Sequence, residues 1–344
     1  MTKKQFVKPQ LSISGHKSPS KPTSNEAVSP PMPTPEGMEE EFERGVEQWL
    51  IDGDKFLPIT RTVQSLPPGS YCVKYDAGYN KHVLVYKPVM TEELLRLPSR
   101  ELEIVLADME KFWKRRARYD KYGYIYKRGI LLYGKQGNGK TGLIDMLALE
   151  LIEKQQGIVI RLTQSDDIFN FDEIMTCIRE IEPDRRVIAV IEDVDNFLGT
   201  GKNGELSGKL QQMLDGSLRY DNIVYIATTN YPELLEERIS NRPSRFDLRV
   251  EVKPPRKAAR EFYLKSKLKK SDIAKMDMVR WLADTVGFTL DHLKEMVLLV
   301  FVHDMEYADA LARIRGMISD PTLRNEKDAP EKMGFNNKKH EDDD

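Results

Sequence analysis

The chain is 344 residues long, 40% hydrophobic and 31% charged, with 53 basic and 55 acidic residues and a net charge of −2. That length suits one large or two modest domains with a substantial core, and the balanced charge excludes a global electrostatic drive toward nucleic acid or anionic lipid. Cys72 and Cys177 are too few for a disulfide framework and lack metal-ligand spacing, so reduced thiols are expected.

Residues 1–37 are rich in Pro, Ser and Lys and predict a disordered tail without a secretory signal. Residues 38–99 form an N-terminal region, either a small recognition domain or an extension of the core. In it, MEEEFERGVEQWLIDG has helical spacing, with Phe42, Val46, Trp49 and Leu50 on one face. GSYCVKYDAGYNKHVLVYKPV predicts two strands around DAGYN. TEELLRLPSRELEIVLADMEKFWKRRARYDKYG then predicts helices, with Ser99 as an N-cap and Glu101 and Glu103 in the first turn after it. From Gly129 the apolar runs GILLYG, GIVIRL, VIAVIE and NIVYIATTN alternate with helical stretches, the pattern of a parallel α/β sheet covered on both faces. From Pro255 the strands stop, and four helices are predicted before an acidic-ended tail over 319–344. The longest strongly apolar run, 296–302, is far too short to span a membrane. A soluble, cytoplasmic protein without membrane contact is expected.

Gly134-Lys135-Gln136-Gly137-Asn138-Gly139-Lys140-Thr141, followed by Gly142, fits the pattern G-x-x-x-x-G-K-[ST]. A strand precedes it and an amphipathic helix follows. Glycines let backbone N–H groups turn toward phosphate oxygens, and the helix N-terminus adds positive potential. Lys140 can reach the β and γ phosphates, and Thr141 offers a hydroxyl to Mg²⁺. VIAVIEDVD, 187–195, ends a strand in acids at the sheet's carboxyl edge, where such sheets bind ligands. One acid is expected to help hold Mg²⁺ and another to orient the attacking water; residue type does not say which. IATTN, 226–230, brings Asn230 to a third strand end. SNRPSRFD, 240–247, carries Arg242 and Arg245, which can neutralise charge on a transferring phosphoryl group.

These elements in this order resemble the AAA family of ring ATPases, and 112–253 is similar to its Bcs-type branch, the translocases of the Rieske iron–sulfur protein. The resemblance implies a P-loop αβα sandwich over 100–254, a helical lid over 255–318, and ATP with Mg²⁺ as cofactors. It implies that Glu192 supports Mg²⁺, Asp193 polarises the lytic water, Asn230 senses the γ-phosphate, and Arg242 and Arg245 act as fingers into the next subunit. The implied partners are further copies of the chain, a hexamer or heptamer, and a protein substrate that is remodelled, unfolded or disassembled. Lys135 and Gln136 replace the prolines usual in this loop, and Asp193 is shorter than the usual Glu, which implies slow hydrolysis. Phe169 and Phe171 stand where a pore loop would be, without its glycine, so core packing is as much the expectation as gripping a substrate. The sequence offers no counterpart to the branch's membrane helix. A nucleic-acid motor is the first alternative, kept open by KFWKRRARYDK and YLKSKLKK; a nucleotide-gated scaffold with little hydrolysis is the second.

Overall fold

The computed structural model describes residues 48–52, 55–59, 63–78, 80–89, 94–198, 202–217, 220–235 and 245–319. The chain divides into two compact units between Val63 and Gln64. In the first, β1 (Gln48–Asp52) and β2 (Lys55–Ile59) pair antiparallel, with Asp52 opposite Lys55. The helical spacing through Trp49 and Leu50 therefore gives way to a strand. The consecutive Trp49, Leu50 and Ile51 suit a strand as well as a helix, and antiparallel pairing with β2 gives their backbone groups partners. The rest of that predicted helix, with Phe42 and Val46, lies outside the described residues, as do both predicted tails.

The second unit is built on a seven-stranded sheet of order β4-β3-β6-β7-β8-β5-β9. The strands are β3 (Gly69–Asp76), β4 (Lys81–Tyr86), β5 (Lys127–Tyr133), β6 (Ile158–Leu162), β7 (Val187–Ile191), β8 (Ile223–Thr229) and β9 (Leu248–Glu251). Every pairing is parallel except β3 with β4. The sheet reaches N-terminal of residue 100, where the resemblance would begin the αβα sandwich: β3 lies against β6, with Gly69 opposite Ile158.

Alternation along the strands builds two cores. Ile158, Ile160, Leu162, Ala189 and Tyr225 face one layer, which contains α4 (Ser165–Ile181) and α5 (Lys202–Asp215). Val159, Ile188, Val190, Val224 and Ile226 face the other, which contains α1 (Arg100–Trp113) and α3 (Lys140–Gln155). A strand buried on both faces has no polar side, which is why VIAVI reads as an unbroken apolar run. Two short helices complete the layers, α2 (Arg116–Tyr122) and α6 (Pro232–Leu235). Ser99 caps α1, its Oγ accepting from the Leu102 N–H at 3.3 Å, with Glu101 and Glu103 in the first turn. Residues 94–99 are not helical; Pro98 restricts the residue before it.

Five helices follow where four were predicted: α7 (Lys257–Lys267), α8 (Lys270–Lys275), α9 (Met278–Asp284), α10 (Leu290–Phe301) and α11 (Tyr307–Ser319). The extra break lies at Leu268 and Lys269, both extended, with no glycine or proline to mark it. These helices enclose a core of their own around Trp281, Leu293, Met296 and Ile314. Among the described residues no helix is long and apolar enough to cross a membrane.

The segment entering β9 lies tightly on β5. A Cβ added at Gly129 would sit 1.8 Å from the Arg245 carbonyl oxygen, a backbone atom that cannot swing aside. Gly129→Ala should therefore lower unfolding free energy by about 1–3 kcal/mol. Urea unfolding measures this, and an unchanged midpoint would mean that the Arg245 segment can lift from the strand.

Candidate functional site

Three parallel strands end at one edge and supply the polar groups. After β5 the chain turns through Gly134, Gly137 and Gly139, with φ of 145°, 80° and 89°, values that L side chains rarely adopt. The Gly134 N–H donates to the Thr229 carbonyl at 3.3 Å, tying the loop to the end of β8. α3 opens directly from Gly139, so its first N–H groups have no helical acceptors and face the loop.

Lys140 is buried, and its ammonium donates to the Gly134 carbonyl at 2.8 Å, the Lys135 carbonyl at 3.3 Å and Asn230 Oδ1 at 2.6 Å. Burial lowers its pKa; the carboxylates of Asp193 and Asp195 oppose that shift. The other end of the Asn230 amide donates from Nδ2 to Asp193 Oδ1 at 3.2 Å. One side chain therefore links the loop lysine to the acid after β7.

Asp193 sits in the left-handed region at φ 48°, ψ 56°, a conformation that Asp tolerates better than most residues. Its N–H donates to Thr228 Oγ1 at 2.9 Å, which anchors the turn to β8. Burial raises its carboxyl pKa, and Asp195 and Glu192 add to that, while Lys140 pulls it down. Asp195 in turn accepts from Thr229 Oγ1 at 2.6 Å. The Asp193 carboxylate, held near the Lys140 ammonium and raised in pKa by burial, can accept a proton from a nearby water.

Glu192 points the other way. Its Oε2 accepts from Thr141 Oγ1 at 2.9 Å and its Oε1 from Arg161 at 3.1 Å. Among the described residues no three His, Cys, Asp or Glu side chains group to hold a metal by themselves. A hydroxyl beside one carboxylate fits Mg²⁺, which keeps several waters and takes further oxygens from a phosphate ligand.

An apolar cavity of about 190 Å³ opens beside the loop. Leu94, Leu102, Met146, Val252, Tyr263 and Leu290 contribute to its wall, as does Asn138. Asn138 donates from Nδ2 to the Val252 carbonyl at 2.8 Å, and its buried Oδ1 has no protein partner. The helical domain closes over the loop: the N–H groups of Leu290 and Asp291 donate to the Gly137 carbonyl at 2.9 and 3.3 Å. Thr289 and His292 form a reciprocal capping box, which fixes the start of α10 at that contact.

Arg245, implied to reach a neighbouring subunit, is buried against its own chain. It is 2% exposed and donates from Nε to Asp215 Oδ1 at 2.7 Å and from NH2 to Asp215 Oδ2 at 2.9 Å. A buried guanidinium needs such a fork of acceptors, and α5 supplies it. Phe171 is buried in the core against Tyr220 and Tyr225, whereas Phe169 is 36% exposed on the same helix. Arg242 lies outside the described residues. Sequence reading missed Arg161, whose three partners come from β3, α3 and the end of β7; a lone Arg inside an apolar strand was the available signal.

Residues 130–254 match the family described as "ATPase family associated with various cellular activities (AAA)". The chain is 30% identical over 218 residues to the probable mitochondrial chaperone bcs1 of Schizosaccharomyces pombe, covering 60% of this chain and 46% of that one. It is 28% identical over 207 residues to the ATP-dependent zinc metalloprotease FtsH of Marinobacter nauticus, covering 56% and 32%. The probable mitochondrial chaperone BCS1-B of Dictyostelium discoideum is 28% identical over 192 residues, covering 45% and 40%. The chain thus spans less than half the length of each of these relatives.

Lys140→Ala removes the only side chain of the loop that bonds both the loop carbonyls and Asn230, so nucleotide binding should be lost. Titration with a fluorescent nucleotide checks this, and retained tight binding would contradict it. Arg245→Ala leaves Asp215 without its fork and should cost about 3–5 kcal/mol. Chemical unfolding reads that loss; unchanged stability would return Arg245 to a role outside its own protomer.

Proposed function

We propose, from the premise that this chain carries an ATPase domain of the AAA family, that it hydrolyses Mg²⁺-ATP in a ring of its own copies to remodel a protein partner. The observation that carries the reading is the convergence of Lys140, Asn230 and Asp193 on one point beside the Thr141–Glu192 pair. The names of two relatives, mitochondrial chaperones, support protein remodelling as the work done.

In this reading the Lys140 ammonium exchanges the carbonyls of Gly134 and Lys135 for phosphate oxygens. The backbone of 134–142 wraps the phosphates, and the apolar cavity takes the base. Thr141 and Glu192 hold Mg²⁺, which supplies charge neutralisation on the phosphates. Asp193, oriented by Asn230, takes a proton from the attacking water. Arg242 of an adjacent subunit completes the site; Arg245 holds the segment behind it.

Asp193→Asn should bind ATP yet turn over about 100-fold or more slowly; undiminished turnover would make another acid the base. The wider test is ATPase rate per subunit against protein concentration with Mg²⁺. A specific rate that climbs with concentration, and rises further with an unfolded protein, is expected. Stimulation by single-stranded DNA instead would favour the nucleic-acid motor. Tight binding with no turnover at any concentration would favour the nucleotide-gated scaffold.

A further inference from the structure

β6 is apolar except at one position. Ile158, Ile160 and Leu162 face one core and Val159 faces the other; Arg161 points to the same side as Val159, under α3. It is 7% exposed. A guanidinium so deeply buried is costly unless its donors are met, and an aliphatic side chain would fill the same space without that cost.

Its donors are met by three separate elements. Nε donates to Ser70 Oγ on β3 at 3.2 Å, NH1 to Glu192 Oε1 at 3.1 Å, and NH2 to Asp145 on α3. Asp145 lies one turn beyond Thr141 on the same helix, and Thr141 donates to the other oxygen of Glu192. The Glu192 carboxylate is therefore gripped at both oxygens. A glutamate has a long side chain with costly rotamer freedom to lose; this grip removes that freedom before any ligand arrives. The charges also balance usefully. One guanidinium against two carboxylates leaves a net negative site beside the Thr141 hydroxyl, the sign a divalent cation needs.

We infer that Arg161, held by Asp145 and Ser70, is a positioning residue that fixes Glu192 for the Mg²⁺ of the bound nucleotide. The inference rests on the nucleotide reading above. It assigns Arg161 no contact with nucleotide or metal; it acts through Glu192.

The test uses Arg161→Lys, which keeps the charge but replaces the planar fork with a single point. Equilibrium binding of a fluorescent ATP analogue is measured in EDTA and across a Mg²⁺ titration. Binding in EDTA should be unchanged, while the Mg²⁺ concentration at half-maximal tightening rises about 10- to 100-fold. Should that variant fold poorly, the double variant Arg161→Gln with Asp145→Asn removes both charges together. It should melt near the parent temperature and still show the Mg²⁺ defect. A Mg²⁺ dependence equal to the parent's in either folded variant would make Arg161 a packing residue and overturn the inference. If the parent chain binds no nucleotide at all, the functional reading falls and takes this one with it. Mg²⁺-dependent binding by the parent with unaffected variants overturns this inference alone.

Discussion

A buried ammonium must be surrounded by acceptors, and around Lys140 that requirement organises one edge of the sheet. Its acceptors come from the loop after β5 and from Asn230 after β8, and the Asn230 amide extends the link to Asp193 after β7. No single element could supply this set. The order β7-β8-β5 brings together three strand ends that are far apart in the chain. Parallel pairing then guarantees that all three ends lie on the same edge. The double-sided burial of these strands makes the edge rigid enough to hold polar groups at hydrogen-bond distance.

The loop is coupled outward as well as inward. The Gly137 carbonyl accepts from the N-terminal N–H groups of α10, so the helical domain touches the glycine-rich turn itself. Gly139 lies against the Leu290 side chain, and Gly137 against those of Thr289 and Asp291. A shift in the loop must therefore be felt by the helical core around Trp281 and Met296.

Two buried arginines take opposite roles. Arg161 draws Ser70, Asp145 and Glu192 together and serves the site. Arg245 binds Asp215 and Gln211 on α5 and pins the segment that enters β9, pressed against Gly129. Each guanidinium has its charge answered within the protomer, and each couples elements that local sequence leaves unrelated.

Much of this was legible in the residues. The apolar runs ending in Gly134, Glu192 and Asn230 announced a parallel sheet with a polar edge, because strands buried on both faces must be apolar and loops at their ends must not be. Ser99 announced the start of α1, because a cap acts within one turn. The strand at Trp49 and the break at Leu268 were not legible: short apolar stretches fit either period, and an extended break needs no marker residue. The pairing of β3 with β6, the burial of Arg245 and the grip of Arg161 on Glu192 were out of reach for a different reason. Each depends on which distant groups the strand order brings within 3 Å or so of one another. Composition and spacing determined the sheet and the polar groups at its edge. Only the tertiary structure decided which charges meet, because a buried charge is defined by partners that lie elsewhere in the chain.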